Sequence, residues 1–297
     1  MKKTPLFYLL IICAMAFWGG AWTSAKAVSG IVSVQTIVLY RFIFATLAVV
    51  PFVFVYRQRF FLQGKQLLWT VFGAFLFTAY NQLFFTGINI GLAGAGGVLV
   101  TTTNPIFTYL LCILIYKYRL TVRSGLGLLL GFTGGCIMLR VWTLNAAEIF
   151  QFGNGIFLLS AVVWAAVTIV SGHAQKRIHF TVYTFWFYLF SAVFSLPFSL
   201  SAGDILSVFR ETTFFWLNLL YLSFFAMAFS ATIYFYTSNR LGSHKASNFV
   251  FLVPVFAVVF SFLFLQEIPR WNTIVGGVLA MGAVYILNRD GPRKIKN

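Results

Sequence analysis

A stripe of polar residues inside an apolar segment has the clearest chemical potential in this sequence. The segment runs from about Gly94 to Tyr116, and at spacings of three and four residues it carries Gly94, Gly97, Thr101, Asn104 and Thr108. This spacing places all of them on one face of a helix. Hydroxyl and amide groups on such a face can bind a ligand in a wet cavity or can hydrogen-bond neighbouring helices. We favour the cavity, because a proline lies in the same stretch.

That proline, Pro105, predicts a bend at the middle of the segment. Proline has no N–H and its ring clashes one turn back, so the carbonyl of Thr101 loses its helical partner. In a membrane, a freed backbone group must find a partner in protein or in a water-filled cavity. Interrupted helices that meet at the midplane build the binding sites of many transporters. We therefore predict that Thr101, Asn104 and Thr108 bind a substrate and that Pro105 is a hinge.

Other apolar segments also contain polar or aromatic residues near their centres. Asn81 and Gln82, next to Tyr80, are costly in a membrane unless they are paired or hydrated. Trp18 and Trp164 could close over a substrate ring or methyl group, or stack on a cation. The alternatives are helix–helix hydrogen bonding for the amides and interfacial anchoring for the tryptophans. We predict that all five residues line the substrate cavity.

Arg41 is the one charged residue well inside an apolar segment. An ionisable residue within a membrane span indicates a function by default. However, its side chain could also snorkel to the nearer membrane surface, bond carbonyl groups, or pair with Glu267. We assign Arg41 and Glu267 to structure or gating, and direct contact between Arg41 and the substrate remains the alternative.

Several functions are disfavoured by what the apolar segments lack. The middle of each predicted span contains no Asp or Glu, which argues against a carboxylate proton relay or a sodium cage and favours facilitated or exchange transport. A bare cation would lack a counter-charge, so a zwitterion, anion or neutral metabolite is preferred. We expect no metal site, no cofactor and no catalysis, because the sequence shows neither metal-ligand spacing nor a nucleophile beside a base. The competing interpretations are a membrane scaffold or sensor without transport, and a membrane-embedded lipid enzyme.

The composition specifies the elements that must position these residues. The chain of 297 residues is 60% hydrophobic and 9% charged, whereas a soluble domain carries about 25% charged residues. We predict an all-α polytopic membrane protein, embedded in a lipid bilayer, with ten transmembrane helices of about 20 residues each. The predicted spans are about 6–27, 34–56, 67–89, 94–116, 123–141, 153–173, 181–201, 213–237, 245–266 and 271–288.

The positive charges give this arrangement an orientation. The net charge is +16, but the basic residues occur singly or in pairs between apolar runs, which argues against nucleic-acid binding. Most of them fall on one side of the membrane if the N-terminus is cytoplasmic, as the positive-inside rule requires. We therefore predict a multi-pass protein of the cell inner (plasma) membrane with both termini in the cytoplasm.

The two halves of the chain resemble each other. Trp18 and Trp164 differ by 146 positions, and so do Pro51 and Pro197. Later pairs are offset by 147 to 149 positions, namely Trp69 and Trp216, Leu92 and Leu241, Pro105 and Pro254, and Gly127 and Gly276. We predict two five-helix repeats, residues 1–146 and 147–297, which an odd number of spans must place in inverted orientation.

The repeats lead to three further expectations. Pro254 is a second hinge, equivalent to the first. The counterpart of the polar stripe, Ser243, Ala246, Val250, Val253 and Ala257, is mostly apolar, so the first repeat should supply most of the recognition. The small-residue faces of spans five and ten permit close helix contact, either within one chain or in a possible homodimer.

The chain resembles the EamA-type transporters of the drug/metabolite transporter superfamily. The residues that carry this resemblance are Phe17-Trp18-Gly19-Gly20, Tyr40-Arg41-Phe42, Pro105, Pro254, Gln266-Glu267 and the glycine-rich fifth and tenth spans. Lys117-Tyr118-Arg119 departs from the family pattern, in which many members have an acidic residue at the end of span four. The resemblance implies a central basket that opens alternately to each side. It also implies export of small metabolites or amino acids.

Overall fold

The computed structural model describes residues 5–62, 64–91, 93–143, 152–265, 268, 270–289 and 293–294. Within these residues, ten helices are long and apolar enough to cross a membrane, which confirms the predicted ten-span all-α membrane fold. Their bounds are α1 Pro5–Val28, α2 Val34–Val55, α3 Gly64–Ile90, α4 Ala93–Tyr116, α5 Val122–Leu139, α6 Phe152–Ala174, α7 Phe180–Ala202, α8 Thr213–Leu241, α9 Ser243–Asn248 continuing to Val253–Leu265, and α10 Trp271–Arg289.

Short elements complete the chain. Three 3-10 turns cover Val141–Thr143, Gln175–Arg177 and Ile205–Arg210. Two-residue strands β1, Tyr118–Arg119, and β2, Arg293–Lys294, pair in antiparallel orientation. Three helices begin with side-chain caps, because the hydroxyls of Ser33, Thr121 and Thr212 each accept from the backbone N–H three residues later.

The irregular backbone lies in the second half of the chain. In α8, Phe224–Ala231 is π-helical, and in α9 a 3-10 segment, Phe249–Leu252, ends two residues before Pro254. In contrast, α4 stays α-helical from Ala93 to Tyr116 with Pro105 inside it. The two predicted hinges therefore have different local structures, and their bending stays a prediction.

The two halves of the chain interlock. Helix α2 packs on α7, α3 and α4 pack on α6, α5 packs on α10, and α1 packs on α8 and α9. Each of these contacts joins residues 1–146 to residues 147–297. The contact of α3 with α6 has a counterpart in the contact of α8 with α1, and α4 with α6 has one in α9 with α1. This reciprocal pattern is what a two-fold relation would give; the inverted orientation of the repeats stays a prediction.

Small residues of α5 and α10 are used for packing within the chain. A Cβ added at Gly134 would lie 2.8 Å from the carbonyl oxygen of Gly276. A Cβ added at Gly127 would lie 2.7 Å from Cγ of Leu287. Backbones can approach this closely only where no side chain intervenes. Of the two predicted uses of these faces, the glycines therefore serve internal packing, and a homodimer would need another surface.

A carboxylate clasp joins the halves where α2 begins. Asp204, which follows α7, accepts hydrogen bonds from the Ser33 backbone N–H at 2.7 Å, from the Ser33 hydroxyl at 2.7 Å and from the Thr36 hydroxyl at 2.6 Å. Burial raises the pKa of the Asp204 carboxyl, but the bonds from Thr36 and Ser33 outweigh burial and leave the pKa below its ordinary value. The carboxylate is also stabilised by the positive, N-terminal end of the α2 helix dipole.

Candidate functional site

A cavity of about 70 Å³ lies where α1, α2, α3, α4, α6, α8 and α9 meet. Every one of these helices contributes from its central part or within about two turns of it, so the cavity lies deep in the protein. The side chains that line it and that carry a polar group are those of Trp18, Trp22, Arg41, Tyr80, Asn81, Thr101, Asn104 and Trp164. Six of the eight residues predicted to bind substrate, Trp18, Tyr80, Asn81, Thr101, Asn104 and Trp164, thus share one cavity.

Arg41 also lines this cavity, with only 6% of its surface exposed. Its Nη1 donates to Oδ1 of Asn81 at 2.8 Å, and its guanidinium carbon lies 4.8 Å from the centre of the Phe85 ring. The Asn81 amide nitrogen donates to the carbonyl of Phe77 one turn back at 2.8 Å, which fixes the amide so that its oxygen faces Arg41. The side chain does not snorkel to the surface, because its head group is buried.

The threonines of α4 satisfy their own hydroxyls. Thr101, Thr102 and Thr103 each donate to the carbonyl four residues earlier, at 2.6, 2.8 and 2.7 Å respectively. Such back-bonding helps to bend helices and leaves the Thr101 hydroxyl only as an acceptor toward the cavity. The predicted polar stripe is therefore less available to a ligand than its composition suggests.

Asn104 fits both interpretations of the polar stripe, hydrogen bonding between helices and ligand binding in a cavity. Its amide nitrogen donates to the carbonyl of Ala161 in α6 at 3.4 Å, which is a long helix–helix hydrogen bond. Its Oδ1 is buried and has no partner among the described residues. The side chain is fully buried and lines the cavity, so this oxygen is a candidate acceptor for a ligand.

Aromatic rings form most of the remaining wall. Trp18 and Trp164, which the predicted repeats align with each other, meet edge to face with ring centres 5.2 Å apart. Tyr80 lies 4.6 Å from Trp164, and Trp22 lies 4.8 Å from Phe84. Aromatic rings offer a large apolar surface with electron-rich faces, which suits a compact apolar body or an ammonium group.

The π-helical segment of α8 forms the opposite wall. Ala226, Met227 and Ala231 from this segment line the cavity. Two of its carbonyls accept hydrogen bonds from side chains of other helices, because Trp18 Nε1 donates to Ala226 at 2.7 Å and the Tyr188 hydroxyl donates to Met227 at 2.9 Å. π-helical turns occur frequently at functional sites, and here the turn fixes the orientation of the Trp18 ring.

Two predicted substrate ligands lie elsewhere. Gln82 is half-buried and Thr108 is fully buried, yet neither lines the cavity. Gln82 is one residue after Asn81 and so points about 100° away around α3. Thr108 shares the face of Thr101 but lies seven residues farther along α4, which is about 10 Å.

The predicted hinge and gating residues are distributed between regions. Pro254 lines a second, larger cleft of about 510 Å³, together with Lys26 and Val98. Trp22 and Val253 border both this cleft and the central cavity. Pro105 is buried in α4, and Glu267 lies outside the described residues.

Several apolar residues of the wall were not predicted from the sequence. Phe77, Phe84, Leu222, Met227, Val250 and Val253 line the cavity. Nothing in their residue types separates them from the many lipid-facing residues of the same kinds. One signal did exist for α8: the offset between the repeats rises from 147 at Trp216 to 149 at Leu241. This rise means that the second half has two additional residues between Trp216 and Leu241. They fall in α8, the helix that contains the wider π-helical turns.

Ten described spans around a central cavity are typical of a membrane transporter. The EamA-like transporter family matches residues 5–140 and 151–289, which is nearly the whole chain, and the chain belongs to this family. It is therefore a membrane transporter, in a family of transporters rather than enzymes. The two matched segments also divide the chain close to the boundary between the predicted repeats.

Similar proteins agree with this assignment. An uncharacterized transporter of Archaeoglobus fulgidus is 24% identical over 94% of this chain and 96% of its own length. A WAT1-related chloroplast protein of Arabidopsis thaliana is 26% identical over 97% of this chain and 70% of its own length. The uncharacterized transporter YoaV of Bacillus subtilis is 24% identical over 93% of this chain and 94% of its length. A crystal structure with 17% identity superposes with a TM-score of 0.78 and covers 96% of both chains, which shows the fold alone.

Proposed function

We propose that this transporter exports a small polar metabolite, an amino acid or a related compound, from the cytoplasm across the plasma membrane. The observation that carries the proposal is the deep cavity in which Arg41, Asn81 and Asn104 meet a wall of aromatic rings. Buried polar groups in a membrane protein are costly unless they have a function or a partner. A substrate with polar groups and a compact apolar body matches this combination.

We further propose transport by alternating access. The central cavity and the larger cleft share Trp22 and Val253 as border residues. The cleft is also lined by Lys26 and Thr273, near the ends of α1 and α10 that are predicted to face outward. A movement at this border would connect the cavity to the outer face, with the inverted repeats and the hinges at Pro105 and Pro254 supplying the opposite opening.

Efflux from proteoliposomes tests the proposal directly. Vesicles that contain the full chain are loaded with the twenty protein amino acids, and mass spectrometry follows what leaves. We expect one or a few amino acids to leave faster than from empty vesicles. We expect Asn104→Leu to abolish this difference while the variant folds normally, and a protonophore to leave it in place. Equal retention of every amino acid in both kinds of vesicle would refute the proposed substrate class.

A further inference from the structure

Arg41 is a buried cation without a described counter-ion. The acidic residues that the structure describes are Asp204 and Glu211, and neither lines the cavity. Asp204 is engaged by Ser33 and Thr36. A guanidinium has five N–H donors, and Nε of Arg41 has no hydrogen-bond partner in the described part of the chain. A charge buried in this way is strongly destabilising unless something pairs with it.

The contacts of Arg41 hold the guanidinium in place without neutralising it. Asn81 supplies one neutral oxygen at 2.8 Å, and the Phe85 ring lies 4.8 Å away. An amide and a ring restrict the orientation of the planar group, while further donors stay available. A fixed guanidinium with free N–H groups is suited to bidentate binding of a carboxylate.

The rest of the cavity limits what can accompany that carboxylate. Around it lie the rings of Trp18, Tyr80 and Trp164 and the apolar side chain of Met227. The cavity holds about 70 Å³, which corresponds to only a few heavy atoms unless side chains of the wall move. Asn104 contributes one unpartnered acceptor, Oδ1, which can accept a hydrogen bond from an ammonium but cannot donate to a second carboxylate.

We infer that Arg41 is the substrate anchor, and that the transporter selects small monocarboxylates with a compact apolar body. α-Amino acids belong to this class, since Asn104 Oδ1 can accept from their ammonium group. The inference rests on the proposed function and makes it more specific, because it moves Arg41 from a gating role to substrate contact. It also assigns the carboxylate to Arg41 and the ammonium of an amino acid to Asn104.

Four probes of nearly equal shape separate these groups. L-valine has both a carboxylate and an ammonium, 3-methylbutanoate has only the carboxylate, L-valinamide has only the ammonium, and 3-methylbutanamide has neither. Binding to the purified full chain is followed by tryptophan fluorescence, since Trp18 and Trp164 line the cavity, and by thermal stabilisation. We expect the two carboxylates to bind at least about tenfold more tightly than their amides, as hydrogen bonds to a charged partner are the strong ones.

Substitution of Arg41 tests the same point in the protein. We expect Arg41→Gln to reduce the preference for 3-methylbutanoate over 3-methylbutanamide to about onefold, and Arg41→Lys to retain part of it. Arg289→Gln is the matched control, because Arg289 also lies over a ring, that of Tyr285 at 4.9 Å, at the far end of α10. This control should keep the full preference. The probe series in the unmodified protein remains decisive if Arg41→Gln does not fold.

The outcomes separate this inference from the proposed function. Equal binding of acids and amides, absence of carboxylate binding, or an unchanged preference in folded Arg41→Gln would overturn the role of Arg41. If an amino acid still left proteoliposomes in that case, the transport proposal would stand alone. If carboxylates bound through Arg41 but no solute moved, the anchor would stand and the transport proposal would fail.

Discussion

The two halves of the chain contribute unlike walls to one cavity. The first half contributes the polar side chains of Arg41, Asn81, Thr101 and Asn104 together with the rings of Trp18, Trp22, Phe77, Tyr80 and Phe84. The second half contributes Trp164 and the apolar side chains of Leu222, Ala226, Met227, Ala231, Val250 and Val253. The contrast is sharpest where the predicted repeats align Asn104 with Val253. We propose that the polar groups of the substrate bind the first-half wall and that its apolar body packs on the second-half wall.

Substitutions at these two matched positions, Asn104 and Val253, test this division most strongly. We expect Asn104→Val to reduce transport by more than about tenfold, because it removes the free Oδ1 acceptor. Val253→Ala, which trims the apolar wall at the matched position, should change transport by less than about threefold. Efflux from proteoliposomes measures both, and thermal unfolding in detergent verifies that both variants fold. Similar losses in the two variants would contradict the division of labour between the walls.

The comparison also predicts which substitutions damage the frame without touching either wall. A Cβ at Gly276 would lie 2.5 Å from the carbonyl oxygen of Gly134, whereas a Cβ at the adjacent Gly277 would find only Val255 at 3.8 Å. We expect Gly276→Ala to destabilise the protein by about 1–3 kcal/mol through overpacking. Gly277→Ala should be neutral or slightly stabilising, since alanine favours helix. Chemical unfolding in detergent distinguishes them, and equal stability of the pair would show that α5 and α10 do not pack closely.

The smallest expected effect concerns the Asp204 clasp that joins the halves at the start of α2. A carboxyl whose pKa is lowered by folding stabilises the protein above its ordinary pKa of 3.8 and loses that contribution as the pH falls below it. We therefore expect the unfolding temperature of the unmodified protein at neutral pH to be a few degrees higher than that of the Asp204→Asn variant. This advantage should shrink only below about pH 4. An advantage that is absent at neutral pH, or that grows on acidification, would contradict the clasp.

The sequence was sufficient for the frame. Span number follows from hydropathy, because a membrane leaves the backbone few alternatives to a helix, and the predicted bounds were close to those observed. Thus span two was expected at 34–56 and ends at Val55. The largest error was span eight, expected at 213–237, which continues to Leu241. Its final turn contains Asn239 and Arg240, and their polarity concealed the end of the helix.

The cavity was harder to predict than the frame. Polarity in an apolar environment predicted Asn81 and Asn104 for the cavity, because each costs free energy unless it has a partner. It also marked Arg41, but there a structural or gating role was predicted and substrate contact was the alternative. The same signal included Gln82 and Thr108, since residue type does not report how far along or around a helix the cavity extends. It also could not reveal that the Thr101 hydroxyl is engaged by its own helix. The apolar wall gave no signal, because Met227 or Val250 would suit lipid equally well.

Photo-crosslinking tests the central claim most directly, by asking which wall contacts which part of a bound substrate. L-photo-leucine carries its carboxylate and ammonium at one end and a reactive diazirine in its side chain. If the polar end binds Arg41 and Asn104, irradiation of the reconstituted protein should attach the probe to the second-half wall, in peptides that contain Trp164, Met227 or Val250. Excess L-valine should prevent the reaction. Adducts concentrated on the first-half wall, or confined to the cleft lined by Lys26 and Pro254, would contradict the account.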